Sequence, residues 1–305
     1  MSAMNTYRFK KIDAFASGHS TGNPAGAVYL DSPNDITVEE MQRIARELKG
    51  FVSEVGYVWP MGGTTFGLRY FSSEREVEFC GHATIAIMYD LIRNDQDLIT
   101  CDVVHIVTNK GRLAVVNKIR TDDAVFITAP APVFSSRDIA PGSIADAFQV
   151  KERELSEHYP VSVVNAGLET LIVPIRSLNS VLSIDPLLEE LKEFCNSYGV
   201  DIVTLFCEET TNRTSRFRTR VFAPTFGYLE DPATGSGNAA LGYYLITNDT
   251  WNGAPITIEQ NGSRDNPNSI RLIVKQDDSG GSRVLFGGNA TVRIQGEYIF
   301  PQTGR

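Results

Sequence analysis

Gly81-His82-Ala83-Thr84-Ile85-Ala86-Ile87-Met88-Tyr89-Asp90-Leu91 can be laid over Gly235-Ser236-Gly237-Asn238-Ala239-Ala240-Leu241-Gly242-Tyr243-Tyr244-Leu245. The overlay pairs the opening glycines, Ala86 with Ala240, Tyr89 with Tyr243 and Leu91 with Leu245. Both stretches are apolar nearly all the way round, and a helix without a polar face has to be enclosed by other elements. Working outward, the order of elements repeats too. Leu68-Arg69-Tyr70-Phe71 is echoed by Thr219-Arg220-Val221-Phe222, and each leads through a turn-rich segment to the helix glycine. Further upstream, Thr37 and Glu40 form a capping box ahead of Met41, Ile44, Ala45 and Leu48, with Gly50 as the stop. The counterpart is Asp185 as cap and Pro186 at the first helical position, followed by Leu187, Leu188, Leu191, Phe194 and Tyr198 before Gly199. Strand-like runs then follow, Phe51–Trp59 and Val200–Cys207.

A few matched residues can arise by chance, but agreement in element order points to a duplicated domain. Apolar runs at Val103–Val107, Leu113–Val116, Val161–Val164, Leu171–Ile175, Ile270–Val274 and Val292–Ile299 supply the enclosing strands. The expected fold is α/β (α+β): two pseudo-symmetric domains, each a curved, mostly antiparallel sheet around one central helix. Pro130, Pro132 and Pro141 interrupt the stretch between Ala129 and Ser143. The expected domains are therefore 1–128 and 129–289, with a final strand near 290–305 returning to the first.

A chain of 305 residues exceeds what one core usually organises, which favours two domains. It carries 28 basic and 37 acidic residues, net −9, and so lacks the electrostatic footprint of a nucleic-acid binder. No apolar run approaches membrane-span length, and residues 1–10 lack the features of a signal or transit peptide, so a cytoplasmic location is expected. Cys80, Cys101, Cys195 and Cys207 show no CxxC pair and no zinc-site spacing. They read as reduced thiols, with no metal site among them.

The chemistry concentrates around the two helix starts, whose unpaired N–H groups and positive dipole end attract anions. Gly81 and Gly235 let a ligand approach the backbone there, although glycines before helices also serve simply as turns. Glu54 shares one strand face with Val52, Gly56 and Val58. If that face is buried, desolvation raises the acid toward the range of a general base; if Phe51, Val55, Tyr57 and Trp59 point inward instead, Glu54 faces solvent. His82 could bind substrate or shuttle a proton, and equally could cap or pack. Asp231, before Pro232, also fits an ordinary turn. Cys80 precedes a helix start, where thiol pKa values fall, but buried inert cysteines are more common.

These motifs, in order, resemble the PhzF-like branch of the diaminopimelate-epimerase superfamily. The resemblance rests on Ile12-Asp13-Ala14-Phe15, Gly22-Asn23-Pro24-Ala25-Gly26-Ala27-Val28, Ser53-Glu54, Arg69-Tyr70-Phe71, Glu76 through Thr84, and Glu230-Asp231-Pro232-Ala233-Thr234-Gly235-Ser236-Gly237. It implies a diaminopimelate-epimerase-like fold with an active site in a cleft between the domains, a homodimer, and a small carboxylate substrate. It places Glu54 on the glutamate that carries the proton in the isomerase. His82, Asp231 and Ser236 fall on substrate-contacting polar residues, and Gly81 and Gly235 on the helix-start glycines. The implied reaction is a cofactor-independent proton shift. An epimerase using Cys80 against Glu54 and a non-catalytic ligand-binding member are the alternatives. Two-cysteine racemisation is excluded, since the second cysteine position corresponds to Ala233. Glu54 is followed by Val55-Gly56-Tyr57 rather than the usual threonines, so the aromatic dihydro-hydroxyanthranilate substrate is not carried over.

Overall fold

The structure, a computed structural model, describes residues 5–277 and 280–300. The opening stretch 1–10 and the terminal stretch 290–305 therefore extend, at 1–4 and 301–305, outside the described residues. The chain divides into two compact units, one of residues 1–16, 21–127 and 288–305, the other of 17–20 and 128–287.

In the first unit the strands are β1 (Asn5–Ala14), β2 (Asn23–Tyr29), β3 (Glu54–Gly62), β4 (Thr65–Ser72), β5 (Glu76–Val77), β6 (Val103–Thr108), β7 (Gly111–Asn117) and β8 (Val125–Thr128). The helices are α1 (Val38–Glu47), α2 (Gly81–Arg93) and the single turn α3 (Ile119–Asp122). The capping box forms as the sequence predicts. The Thr37 side chain accepts from the Glu40 N–H, the Glu40 carboxylate accepts from the Thr37 N–H, and Met41, Ile44 and Ala45 face the core.

In the second unit the strands are β9 (Val133–Ser135), β10 (Ser162–Asn165), β11 (Glu169–Pro174), β12 (Ile202–Cys207), β13 (Phe217–Phe222), β14 (Glu230–Asp231), β15 (Ile256–Gln260), β16 (Asn268–Gln276) and β17 (Ser282–Gly288). The helices are α4 (Pro141–Ala147), α5 (Leu178–Ser183), α6 (Leu188–Tyr198) and α7 (Gly235–Thr247). The last strand, β18 (Ala290–Phe300), pairs antiparallel with β1. The sequence placed the α6 cap at Asp185 and the first turn at Pro186. The helix instead begins at Leu188, after an N-cap Leu187 that makes no side-chain bond. Leu187 is exposed and lies outside the apolar stripe, which leaves Leu191, Phe194 and Cys195 as the buried face. Gly199, at φ +61°, closes the helix in the left-handed conformation that favours glycine.

Strand by strand, the two sheets are the same object. The first runs β18-β1-β2-β3-β4-β6-β7-β8 with β5 on β4, and the second β9-β10-β11-β12-β13-β15-β16-β17 with β14 on β13. In both, the third step is parallel, β2 to β3 and β11 to β12, as is the fifth, β4 to β6 and β13 to β15, and the remaining neighbours are antiparallel. The parallel pairs are those whose strands are joined through a helix, the kind of connection a parallel step requires.

Each sheet holds one 13-residue helix, α2 or α7, with little or no exposed face. Close approach is arranged by glycine. A Cβ on Gly56 of β3 would lie 2.3 Å from Ile87 Cδ1 of α2, and one on Gly235 would lie 2.3 Å from the Phe286 ring. Gly235→Ala therefore has to displace a buried ring. We expect a loss of about 1–3 kcal/mol from overpacking, read as a lowered urea midpoint.

Candidate active site

The β3 strand begins at Glu54 and not at Phe51, which lies outside it and is exposed. Both of its faces are covered: Val55, Gly56, Tyr57 and Val58 are all buried, because β3 lies between β2 and β4 and is packed on both sides. The Tyr57 side carries α1, whose Met41 carbonyl accepts from the Tyr57 hydroxyl at 2.7 Å. The Gly56 side carries α2. Glu54 shares the Gly56 side by alternation, and this directs its carboxylate to the start of α2. Of the two sequence alternatives, the face that Glu54 shares with Val52, Gly56 and Val58 is the buried one, and Val55 and Tyr57 on the opposite face are buried as well.

At that helix start Cys80 is the N-cap and His82 lies in the first turn. His82 Nε2 stands 3.2 Å from Glu54 Oε2, with side-chain exposures of 11% and 20%. Cys80 Sγ lies 3.4 Å from Nδ1 and 3.9 Å from Nε2 of the same ring. Although close to the imidazole, Glu54 Oε2 is buried and no hydrogen-bond donor is directed at it. The imidazole is the ionic partner of this oxygen at 3.2 Å.

Burial works against a proton on His82, but the contacts with Cys80 and with the Glu54 carboxylate outweigh it and raise the imidazole pKa well above its ordinary range. Burial also raises the Cys80 thiol despite its place at a helix start. The reactive low-pKa thiol considered from sequence is thus not formed. Because folded His82 holds its proton more tightly than the unfolded chain does, its contribution to stability is complete below the ordinary imidazole range and fades as pH rises through the folded value. The buried thiol adds a loss in the same direction at higher pH. We expect the urea midpoint to decline across the neutral and mildly alkaline range, with a visibly shallower decline in His82→Gln.

In the second unit the corresponding turn is held by polar groups that the sequence reading did not single out. Gln260, fully buried, accepts from the Thr234 N–H at 2.9 Å and from Asn238 Nδ2 at 2.6 Å, and donates to the Asp231 carbonyl at 2.7 Å. Asn268 Nδ2 donates to the Pro232 carbonyl at 2.7 Å. Asp231 Oδ1 accepts from the Ala233 N–H at 3.4 Å, an Asx-type turn contact. Ser236 is half-buried in the first turn of α7, and Gly235 is buried.

The two turns share their construction. Thr84 Oγ1 donates to the Cys80 carbonyl at 2.7 Å, and Asn238 Nδ2 donates to the Thr234 carbonyl at 2.8 Å. Arg69 clamps Glu76 at 2.7 Å ahead of α2, and Arg220 clamps Glu230 at 2.8 Å ahead of α7. Since Cys80 and Thr234 are the two N-caps, the residue equivalent to Cys80 is Thr234, one position after the Ala233 inferred from the motif. Neither Ala233 nor Thr234 has a thiol, so a two-cysteine arrangement is still excluded. Glu54, Cys80 and His82 are brought together within the first unit, and Asp231, Gly235 and Ser236 within the second.

A duplicated sheet around a buried helix is the diaminopimelate-epimerase-like fold. The chain belongs to the PhzC–PhzF family of phenazine biosynthesis-like proteins, whose pattern it matches over residues 12–296. It is 32% identical over 257 residues to an uncharacterized isomerase of Clostridium acetobutylicum, covering 79% of each chain. It is 27% identical over 296 residues to an uncharacterized isomerase of Bacillus subtilis, covering 96% of each. Among solved structures it resembles the PhzF-family phenazine biosynthesis protein of Bacillus anthracis, with TM-score 0.85, 24% identity and coverage of 97% of this chain and 99% of that one. A hydroxyproline epimerase from Agrobacterium vitis shares the fold at TM-score 0.61 and 13% identity, with coverage of 96% and 92%. No helix among the described residues is long and apolar enough to cross a membrane.

Proposed function

We propose that the chain is an isomerase that moves a carbon-bound proton on a small carboxylate substrate by general acid–base catalysis, with Glu54 as the base. The observation that carries this reading is the buried Glu54 Oε2, which has no donor directed at it and lies 3.2 Å from His82 Nε2. A lone pair left open in a largely desolvated site is what proton abstraction from carbon requires. The positive imidazole stands beside the carboxylate, 3.2 Å from Oε2. Once Glu54 has taken the proton, the same positive charge faces the anion that develops on the substrate. The protonated Glu54 then delivers its proton to another carbon of the conjugated system, which restores the carboxylate without an organic cofactor.

Asp231 is proposed to orient the substrate, and Gly81, Gly235 and Ser236 to offer N–H and O–H donors to its carboxylate. Family membership and the chemistry of helix starts support these roles. In this scheme Cys80 is not an acid–base group. Cys80→Ala is expected to keep proton exchange within about tenfold of the parent, whereas an epimerase pairing Cys80 with Glu54 would lose it. The test is deuterium incorporation from D2O, followed by NMR, over a panel of small unsaturated and α-substituted carboxylic acids. Exchange into one of them supports the isomerase. A bound acid recovered from the protein that never exchanges would favour the ligand-binding alternative.

A further inference from the structure

We propose that Glu54, Cys80 and His82 form a binding site for a thiophilic divalent metal ion of the zinc class, and that such an ion is a reversible inhibitor of this protein. One donor atom from each residue lies within 4.8 Å of the other two, and among the described residues no other trio of histidine, cysteine, aspartate or glutamate does so. Two sides of the triangle are 3.9 Å, from Cys80 Sγ to His82 Nε2, and 3.2 Å, from that nitrogen to Glu54 Oε2. A tetrahedral zinc ion, with bonds of about 2.0–2.3 Å, holds its donors about 3.3–3.6 Å apart. Closing the longest side is thus a rotamer adjustment of about an ångström. Glu54 Oε2 has no hydrogen bond to give up on binding. The set of one sulfur, one imidazole and one carboxylate suits zinc rather than calcium or magnesium, which take oxygen ligands.

Coordination replaces protons and leaves every oxidation state unchanged. The Cys80 thiol and the imidazolium of His82 each release a proton to the buffer, and the metal takes the freed electron pairs. With Oε2 bound to the ion, the buried oxygen is occupied and the cation draws electron density from the carboxylate, so that Glu54 is too weak a base to take a proton from carbon. This second half of the proposal rests on the reading of Glu54 as the base.

Cobalt(II) serves as the spectroscopic probe, added to the full chain after reduction and chelator treatment. The expected result is one cobalt per chain with a thiolate-to-cobalt absorption band that zinc abolishes by displacement. The band should disappear in Cys80→Ala and persist in Cys101→Ala, and thermal melts of both variants establish that they are folded. Absence of the band in the parent, or its survival in Cys80→Ala, overturns the site. Zinc is further expected to stop deuterium exchange by the parent. A cobalt band accompanied by undiminished exchange in zinc would leave the site standing and overturn the inhibition, and with it the assignment of Glu54 as base.

Discussion

Glu54→Gln is expected to lower solvent-deuterium exchange by about 10²–10⁴-fold, the usual contribution of a positioned acid–base group. The substitution preserves side-chain shape and replaces the open carboxylate oxygen with an amide that cannot take a proton from carbon. Because Glu54 Oε2 has no donor directed at it, the fold loses no hydrogen bond at that atom. What changes is the charge beside His82, 3.2 Å away. The imidazole pKa, which Glu54 helps to raise, should therefore fall in the variant, and NMR of the His82 ring would detect this. An unchanged exchange rate together with a lowered His82 pKa would mean that Glu54 is only an electrostatic partner of the histidine.

The largest expected effect on stability lies away from this site. Arg218 and Glu259 are both buried, with side-chain exposures of 0% and 2%, and meet at 3.1 Å. Glu259 also accepts from the Thr211 and Asn212 N–H groups at 2.9 and 2.7 Å, while Arg218 donates to the Asn261 carbonyl at 2.8 Å. Glu259→Ala strands a buried guanidinium without its counter-charge and leaves two backbone donors without this acceptor. We expect a loss of about 3–5 kcal/mol, seen as a large fall in the urea midpoint. Replacing both members, Arg218→Met with Glu259→Leu, removes the orphaned charge and should recover much of that loss. A Glu259→Ala variant within about 0.5 kcal/mol of the parent would contradict the buried-pair reading.

Much of this architecture could be read from the chain because its strongest signals are local. The Thr37 box sets a helix start through two reciprocal bonds, and a helix as nearly apolar all round as Ala83–Leu91 has few places to go except inside a sheet. The duplication was legible at the helix glycines, although the pairing of Arg69–Glu76 with Arg220–Glu230 emerges only when the strands are registered. Signals failed where long-range packing decides. Asp185 and Pro186 have suitable chemistry for a helix start, yet the burial of Leu191 and Phe194 sets the first turn at Leu188. Alternation put Glu54 on the Gly56 side of β3 but could not show that helices cover both of its faces. The turn network around Gln260 was missed since a polar residue at the end of an apolar run gives no sign of where its amide points.

The candidate site itself was only half visible. Glu54, Cys80 and His82 were each noticed, but a glutamate on a strand and a Cys-x-His at a helix start carry no sequence spacing that announces their contact. The close approach of β3 to α2 at Gly56 and Ile87 creates it. Burial also raises the Cys80 thiol, in keeping with the buried inert cysteine that the sequence favoured over a low-pKa thiol.

The most direct measurement is a crystal structure of the protein soaked with a carboxylic acid that it exchanges. The proposal expects a carbon of that acid about 3–3.5 Å from Glu54 Oε2, with no N–H or O–H group capping the oxygen. A ligand bound away from residue 54, or one that only donates a hydrogen bond to Oε2, would contradict it.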